Sequence, residues 1–211
     1  MLIRCSLNFL HNTHSFGLRR YLAAMSDPKK AVVLLAPGSE EMEAVITIDV
    51  LRRAGVNVTV AGLVGKEATK CSRDVVIVPD TSLDEALKCG PYDAVILPGG
   101  LGGSECFCSS PEVGKLLKEQ ESAGRIIAAI CAAPTALKAH KIGVGKSITS
   151  YPGVKDSLTD TYKYLEEKVV IEDKLVTSRG PGTAFDFGLA LANLLAGKDK
   201  ADAVAKGLLL L

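Results

Sequence analysis

The fold of this chain is decided by the stretch Arg125–Thr135, which reads RIIAAICAAPT. Its first half is apolar and contains several β-branched residues, as expected of a buried strand, and it ends at Cys131. Small residues and Pro134 follow at once, and then comes a helix-compatible segment from Thr135 to Lys141. The stretch therefore predicts a strand, a sharp turn that carries the thiol, and a helix.

The position of Cys131 has two interpretations. The same arrangement exposes the nucleophile of hydrolases with a nucleophile elbow, although their Gly-x-Ser-x-Gly pattern is absent here. A sulfur on such a turn lies near the first free N–H groups of a helix, which together with the helix dipole favour the thiolate. Alternatively, Cys131 is a small buried hydrophobe, as free cysteines often are. The stretch by itself supports both interpretations equally.

Strands and helices alternate on both sides of this stretch. The sequence predicts strands at residues 31–36, 56–63, 73–78, 92–97 and 147–151, a hairpin at 168–178, and helices at 40–53, 82–89, 112–121, 184–197 and 200–210. Ser39 is expected to cap the first of these helices. Such alternation indicates a parallel α/β sheet in a single domain. Ligands of such sheets bind at the carboxyl ends of the strands, where the turns 38–43, 99–103 and 131–134 would meet, and this convergence favours a functional Cys131.

Composition excludes several classes of function. The chain has 211 residues, and its net charge of +1 gives no electrostatic signature of nucleic-acid binding. No apolar run is long enough to span a bilayer, so a soluble domain with a sizeable core is expected. The six cysteines lack the spacing of metal ligands or of a small secreted domain. They predict free thiols in a reducing compartment, with no metal and no cofactor.

Residues 1–28 form an N-terminal extension whose composition differs from the rest. The segment Met1–Ser26 contains no acidic residue and carries three arginines, with several serines, threonines and asparagines among spaced apolar residues. That composition resembles a mitochondrial transit peptide. Two alternatives remain, which are a disordered extension and a chain that effectively starts at Met25. The folded domain is expected to occupy residues 29–211.

The sequence predicts a carboxyl group, rather than an imidazole, as the partner of the thiol. A cysteine nucleophile usually has an imidazole base beside it, but two of the three histidines lie in the extension. The third, His140, would lie roughly 13 Å from Cys131 along a helix axis, so a dyad within one subunit is not expected. A protonated Glu43 would donate a hydrogen bond to the sulfur and favour the thiolate, and the two groups would share one proton. The alternative is that Glu43 is an ordinary acidic residue in the first turn of a helix.

The Pro-Gly-Gly turn that contains Gly100 suggests an oxyanion pocket. Glycines in such a turn let backbone N–H groups approach a ligand closely. The N–H groups of Gly100 and Ala132 could stabilise an oxygen that develops on an attacked carbonyl group. They would suit a sulfinate oxygen equally well after oxidation of the thiol.

Several short motifs, taken together, resemble the DJ-1/PfpI family, and most closely its DJ-1 branch. They follow one another along residues 30–210, so the resemblance covers nearly everything after the extension. The motifs are Gly38–Glu43 (GSEEME), Leu51–Gly55 (LRRAG), Cys71–Asp74 (CSRD), Leu97–Gly100 (LPGG), Ala128–Pro134 (AAICAAP) and Thr177–Thr183 (TSRGPGT).

The resemblance implies a flavodoxin-like fold, in which a doubly wound and mostly parallel sheet lies between helices, and a homodimer. It implies a readily oxidised Cys131 supported by Glu43, with an oxyanion pocket at Gly100 and Ala132. It also places further residues in or beside the pocket, some of them across the dimer, and these are Arg53, Arg73, Tyr151, Arg179 and Pro181.

The function that the resemblance implies is protection against oxidative stress. The implied activities are a glyoxalase reaction on methylglyoxal and similar 2-oxoaldehydes, and deglycation of glycated protein or nucleotide adducts. The implied location is the cytoplasm, with mitochondrial and nuclear pools. The alternative is a redox sensor or chaperone-like protein that works through oxidation of Cys131 with little turnover. Neither function requires a cofactor.

The chain departs from the family pattern in several places. Tyr151 stands where many members have a histidine, which removes an imidazole from the pocket. Ala132 follows the cysteine where the protease-like branch has a histidine, which argues against peptidase activity. Cys106 and Cys108 predict a loop with incidental thiols, with a reactive surface pair as the alternative. The apolar segment Leu208–Leu211 is expected to be buried in the core or in the dimer surface.

Overall fold

A computed structural model describes residues 27–211, so the three alternatives for the N-terminal extension concern residues outside the described part. The strands, in chain order, are β1 (Lys30–Leu35), β2 (Asn57–Gly62), β3 (Thr69–Lys70), β4 (Val76–Ile77), β5 (Thr81–Ser82), β6 (Ala94–Leu97), β7 (Ile126–Ile130), β8 (Ser147–Ile148), β9 (Lys163–Tyr164), β10 (Val169–Glu172) and β11 (Leu175–Ser178). The α-helices are α1 (Glu41–Arg53), α2 (Leu83–Lys88), α3 (Leu101–Ser109), α4 (Pro111–Ser122), α5 (Pro134–Ala139), α6 (Ala184–Ala196) and α7 (Lys198–Gly207). Two 3-10 helices span Pro152–Ser157 and Pro181–Thr183.

Seven strands form the central sheet in the order β10-β11-β7-β6-β1-β2-β5. All neighbouring pairs are parallel except β10 and β11, which are antiparallel. The predicted α/β fold with a mostly parallel sheet is therefore confirmed, and the hairpin predicted at residues 168–178 is the β10–β11 pair. Two further sheets have two strands each, β3 with β4 and β8 with β9.

The central strands are buried on both faces because they are apolar throughout. Residues 31–35 of β1 are fully inaccessible, and β6 and β7 are buried along their whole length. Successive side chains of a strand point to opposite faces of the sheet. Leu34 therefore packs in one apolar cluster with Phe107, while Val33 packs in the other with Phe187. Helices cover both clusters, as is typical of parallel sheets.

Helix α1 begins differently from the prediction. Ser39 is not its N-cap, because the Ser39 side-chain oxygen accepts a hydrogen bond of 3.1 Å from the Ala36 N–H and closes the turn after β1. The N-cap is Glu40, whose carboxylate accepts a hydrogen bond of 2.7 Å from the Glu43 N–H. The prediction of Ser39 as the cap is wrong because its hydroxyl group is already engaged in the preceding turn.

Helix α3 is absent from the sequence prediction. Cys106 and Cys108 lie on this helix, so the loop predicted for them is wrong. Glycine at two of the first three positions lowers the helix propensity of this segment. Packing outweighs propensity here, because Phe107 is fully inaccessible and a Cβ on Gly103 would come within 2.6 Å of the Ser39 hydroxyl oxygen. Only the folded sheet supplies these contacts.

Some predicted elements are shorter in the structure. The strand predicted at residues 73–78 contains only β4, which pairs with β3 in a hairpin. The strand predicted at residues 147–151 contains only β8, and the helix predicted at 135–141 is α5, which begins at Pro134 and ends at Ala139. These differences leave the positions of the site residues in the fold unchanged.

The apolar segment at residues 208–211 is mostly outside the core. Leu208 packs against one apolar cluster, but Leu209 and Leu211 are 89% and 87% exposed. Core burial is therefore wrong for most of this segment, and burial in a dimer surface stays a prediction. Within residues 27–211, no helix combines the length and the apolar composition that crossing a bilayer requires.

Candidate active site

Three turns meet at the carboxyl ends of β1, β6 and β7, as the sequence predicts. Gly99 joins two of them, because its carbonyl accepts from the Glu40 N–H (2.9 Å) and its N–H donates to Oε2 of Glu43 (2.7 Å). The third turn is tied to β11, since the Cys131 N–H donates to the Ser178 carbonyl (3.0 Å). Cys131 and Glu43 thereby come together at one edge of the sheet.

Cys131 occupies the strained position of an elbow between β7 and α5. Its φ of +64° lies in the left-handed region, which costs a residue with a side chain about 1–2 kcal/mol. Only 9% of its surface is exposed. Backbone strain that the surrounding packing maintains is concentrated at functional sites in proteins. The geometry therefore favours a functional Cys131 over an inert buried hydrophobe.

The site leaves no room for a side chain at Gly99. A Cβ there would lie 2.6 Å from Cβ of Cys131 and 2.8 Å from Oε2 of Glu43. Gly100 is equally constrained, because its φ is +81° and a Cβ would collide with the Gly38 carbonyl oxygen. Close approach of the backbone thus requires both glycines, whereas the sequence predicts only Gly100 as a site residue.

Glu43 is fully buried and faces the thiol. Its Oε2 accepts from the Gly99 N–H, and the Cys131 side chain lies beside the carboxyl group. Its Oε1 has no hydrogen-bond partner among residues 27–211. Burial raises the pKa of Glu43 from its ordinary value of 4.5 to about 7, and the negative charge of Glu40 adds to this effect. The hydrogen bonds from Gly99 and Cys131 oppose it.

The pKa of the Cys131 thiol depends on whether Glu43 is ionised. Burial raises the pKa of Cys131 to about 12, with the charge of Glu43 as the second cause and the Glu43 hydrogen bond as a smaller one. While Glu43 is ionised, this raised pKa disfavours the predicted thiolate. When Glu43 keeps its proton, its charge no longer raises the pKa of Cys131. The Glu43 O–H can then donate to the sulfur, which favours the thiolate and lowers that pKa. That the two groups titrate as one pair and share a proton stays a prediction.

Gly100 and Ala132, the backbone donors predicted for an oxyanion pocket, both influence the thiol, and their role as an oxyanion pocket stays a prediction. The backbone N–H groups of Gly100 and Ala132 both lower the pKa of Cys131. They come from the turns that follow β6 and β7, so they approach the sulfur from two different segments of chain. Donors fixed in this way need no reorganisation when negative charge develops beside them.

Two predicted pocket residues lie beside this pair. The Tyr151 N–H donates to the Cys131 carbonyl (2.8 Å), and the Tyr151 side chain is half-exposed. Pro181 opens a 3-10 helix directly after Gly180, and a Cβ on Gly180 would lie 4.0 Å from Oε1 of Glu43. Gly180, which precedes Pro181, therefore lies close to the unpaired oxygen of the carboxyl group.

Two predicted arginines lie on segments that border the site, and both are already engaged. The Arg179 guanidinium donates to the Glu166 carboxylate (2.6 Å) and to the Glu166 carbonyl (3.0 Å). The Arg73 guanidinium donates to the Ser72 carbonyl (3.0 Å), and the Arg73 backbone N–H donates to the Glu41 carboxylate (2.8 Å). A charged substrate group would have to compete with Glu166 for Arg179.

Arg53 is far from the thiol within one chain. It is the last residue of α1, and it forms an ion pair of 2.6 Å with Asp49. Ten residues of helix separate it from Glu43, which corresponds to about 15 Å along the axis. A contribution of Arg53 to the pocket would have to come from a partner chain, and it stays a prediction.

The other candidate groups lie away from the Glu43–Cys131 pair. A ring nitrogen of His140 is hydrogen-bonded to the Phe107 carbonyl (2.8 Å), beside a surface groove of about 780 Å³, so no imidazole reaches the thiol from this position. Cys106 lies 3.9 Å from the Pro37 carbonyl oxygen. All five cysteines of the described part are free, and the same residues contain no cluster of side chains that could hold a metal ion.

Comparison with known proteins identifies the family. A model described as "DJ-1/PfpI family" matches residues 29–194, most of the chain. This chain belongs to the DJ-1/PfpI family. Protein dj-1beta of Drosophila melanogaster is 59% identical over 182 residues, which cover 86% of this chain and 97% of the fly protein. The protein named glutathione-independent glyoxalase DJR-1.2 of Caenorhabditis elegans is 44% identical over 188 residues, which cover 88% of this chain and 99% of the worm protein.

The fold is also that of a solved family member. The crystal structure of Drosophila melanogaster DJ-1beta matches with a TM-score of 0.85 and 58% identity, covering 87% of this chain and 98% of the fly chain. The family resemblance inferred from the motifs is therefore confirmed, as is the fold that it implies.

Glu41 is a buried residue beside the site that sequence reasoning misses. Its carboxylate accepts hydrogen bonds from the Ser72 hydroxyl (2.9 Å) and the Arg73 N–H (2.8 Å), and so ties the β3–β4 hairpin to α1. Although burial opposes it, the hydrogen bonds to backbone N–H groups and to Ser72 lower the pKa of Glu41. The only sequence signal is a run of glutamates, which is equally typical of any helix start.

Proposed function

We propose that this chain is a cofactor-independent glyoxalase that uses Cys131 as nucleophile and Glu43 as proton carrier. The buried Glu43 carboxyl beside Cys131, at the strained elbow, is the observation that carries the proposal. The worm relative named a glutathione-independent glyoxalase supports the same reaction type. The substrates are 2-oxoaldehydes, of which methylglyoxal is the simplest to test.

The proposed reaction needs water as its only other reactant. The Cys131 thiolate adds to the aldehyde carbon, and the former aldehyde oxygen takes up a proton to give a hemithioacetal. Glu43 removes the hydrogen of that carbon as a proton, and the neighbouring ketone carbon receives a proton, which leaves the thioester of a 2-hydroxy acid. Water cleaves the thioester and restores the thiol. Methylglyoxal and water thus give lactate without net oxidation or reduction.

The surroundings of the pair suit each step. The N–H groups of Gly100 and Ala132 stabilise the oxygen that becomes negative when the thiolate adds. A carboxyl group with a pKa near 7 can both release and accept a proton at neutral pH, as a proton carrier must. The same thiolate attack would reverse early methylglyoxal adducts on proteins or nucleotides, which is the proposed deglycase activity.

The glyoxalase proposal is tested by lactate formation from methylglyoxal with purified protein. Wild type should form lactate. Cys131→Ser should form none, because an un-ionised serine hydroxyl is a far weaker nucleophile than a thiolate at neutral pH. The matched control is Cys89→Ser, which removes an exposed thiol at the end of α2 and should keep the wild-type rate. Equal lactate formation by Cys131→Ser would refute the mechanism.

We also propose redox sensing by Cys131 as a second function. It is favoured by the two N–H groups and the Glu43 carboxyl, which surround the sulfur with donors for sulfinate oxygens. Mild peroxide should add two oxygens to Cys131 before any other cysteine is oxidised, as measured by peptide mass. Earlier oxidation of Cys106 or Cys108 would contradict this function.

A homodimer is proposed from exposed apolar residues near the site. They lie on α1 and beside or within β4, two segments that Glu41 holds together, and they are Met42, Val45, Val75, Val76 and Val78. Exposed apolar residues on neighbouring segments often belong to an interface. Sedimentation at micromolar concentration should show a dimer for wild type and a monomer for Val76→Glu. A monomeric wild type would refute the proposal.

The proposed location is the cytoplasm, with mitochondrial and nuclear pools. The mitochondrial pool rests on the composition of residues 1–28. Imaging of a reporter fused to these residues tests it, and a diffuse signal without mitochondrial enrichment would remove the targeting proposal.

A further inference from the structure

The strained elbow at Cys131 is held through both of its backbone polar groups. Its N–H donates to the Ser178 carbonyl (3.0 Å), and its carbonyl accepts from the Tyr151 N–H (2.8 Å). A left-handed φ persists in a residue with a side chain only where the surroundings enforce it. Ser178 belongs to the central sheet, whereas Tyr151 lies between β8 and a 3-10 helix. The position of Tyr151 therefore depends on contacts outside the central sheet.

The hydrogen bond from Tyr151 also sets the direction of a donor that acts on the thiol. The Cys131 carbonyl and the Ala132 N–H belong to one planar peptide group, in which they point in opposite directions. A bond that fixes the carbonyl therefore fixes the N–H as well. The Ala132 N–H lowers the pKa of Cys131, so its direction affects how readily the thiolate forms.

The side chain of Tyr164, on β9, holds the segment that carries this hydrogen bond. Its hydroxyl group donates to the Ser150 carbonyl (3.0 Å) and lies 3.1 Å from the Ser150 hydroxyl oxygen. The Ser150 hydroxyl lies 3.0 Å from the Tyr151 carbonyl oxygen, to which it can donate. The Lys155 ammonium, from the 3-10 helix after Tyr151, lies 5.1 Å from the centroid of the Tyr164 ring. Tyr164 thus contacts this segment on both sides of Tyr151.

We propose that Tyr164 is a positioning residue for the Cys131 thiol and acts through two consecutive peptide groups. The Tyr164 hydroxyl donates to the peptide group that joins residues 150 and 151. The N–H of that group donates to the peptide group that joins residues 131 and 132, which carries the Ala132 N–H. Hydrogen bonds arranged head to tail in this way polarise and strengthen one another. The inference rests on the proposed reactivity of Cys131, since it names a residue that tunes the same thiol.

The test is the pH dependence of the alkylation of Cys131 by iodoacetamide, measured on the Cys131 peptide. The thiolate is the reacting form, so the midpoint of the profile reports the pKa of the thiol. Tyr164→Phe removes the hydroxyl group and keeps the ring. The midpoint should move to higher pH, and the rate at neutral pH should fall about two- to fivefold. Glu43, the titratable group that faces the sulfur, is the same in every variant.

The matched control is Tyr162→Phe, which removes another tyrosine hydroxyl two residues away. The Tyr162 side chain is buried, and its hydroxyl donates to the Ile142 carbonyl (2.7 Å). Ile142 belongs to neither of the two peptide groups, so Tyr162→Phe should lower the free energy of unfolding and leave the alkylation profile unchanged. Ser150→Ala removes the hydroxyl next to the Tyr164 hydroxyl and the Tyr151 carbonyl, and should shift the midpoint in the same direction as Tyr164→Phe.

An unchanged midpoint in Tyr164→Phe overturns the inference, and so does an equal shift in Tyr162→Phe. If Tyr164→Phe does not fold, an unchanged midpoint in Ser150→Ala overturns it. The alkylation profile requires no turnover. A wild type that forms no lactate from methylglyoxal therefore refutes the glyoxalase proposal, and the alkylation profile still decides this inference. Where lactate forms, kcat/KM for methylglyoxal at neutral pH should fall in Tyr164→Phe by the same factor as the alkylation rate.

Discussion

Replacement of Glu43 by glutamine should change how the stability of the protein depends on pH. Burial raises the pKa of Glu43 to about 7 in the folded chain, whereas the unfolded chain keeps the ordinary value of 4.5. Between these values the folded protein holds a proton that the unfolded chain has lost, so the free energy of unfolding falls as the pH rises. This contribution is fully present below pH 4.5 and is lost above about pH 7. A separation of about 2.5 pKa units corresponds to about 3 kcal/mol.

The Glu43→Gln variant removes the titrating group but keeps its shape and an acceptor for the Gly99 N–H. The free energy of unfolding is measured by urea denaturation of both proteins at about pH 4.5 and pH 8. Carboxyl groups whose pKa is lowered, such as Glu41 and Asp93, titrate alike in both proteins and cancel in the comparison. Between the two pH values, the wild type should lose about 3 kcal/mol more than the variant.

Parallel stability curves for the two proteins would refute this reasoning. They would mean that Glu43 releases its proton at the same pH in the folded and the unfolded chain, so that burial does not hold the carboxyl in its neutral form. A larger loss in the variant than in the wild type would lead to the same conclusion.

Further expected outcomes concern the thiol and its neighbours. Absorbance at 240 nm should show thiolate formation at Cys131 roughly preserved in Glu43→Gln and impaired in Glu43→Ala, and a curve indifferent to both changes would contradict the pairing. Gly99→Ala should cost about 1–3 kcal/mol of stability and slow alkylation of Cys131 by iodoacetamide, whereas Gly207→Ala should do neither. The free energy of unfolding, measured in urea, should be about 1 kcal/mol higher for Cys131→Gly than for Cys131→Ala, because φ at this position is +64°. His140→Ala should leave the alkylation rate of Cys131 unchanged, and a slower rate would show that the imidazole acts on the thiol.

The sequence predicts those parts of the fold that are set by burial along single strands. β1, β6 and β7 are recognisable because a strand covered on both faces must be apolar at every position. The turns at their carboxyl ends can then be placed together by the topology of parallel sheets, without any side-chain contact. This reasoning is sufficient to bring Cys131 and Glu43 to one edge of the sheet.

The missed features depend on contacts between segments that are distant in sequence. Helix α3 forms on a glycine-rich segment because Phe107 is buried and the backbone of Gly103 packs against the turn at Ser39. The roles of Gly99 and Glu41 likewise appear only when β6 and the β3–β4 hairpin lie beside α1. Local propensity carries no information about such pairs, so a single sequence cannot reveal them.

The two functions proposed for the site make different demands on the proton that Glu43 and Cys131 share. Turnover requires Glu43 to release and recover a proton in every cycle, which a pKa near neutrality permits. Stabilisation of a sulfinate requires only that Glu43 donate a hydrogen bond, and a proton that never leaves serves this purpose well. A carboxamide at this position can donate but cannot carry a proton. Catalysis and redox sensing, although they use the same sulfur, are therefore separable at residue 43.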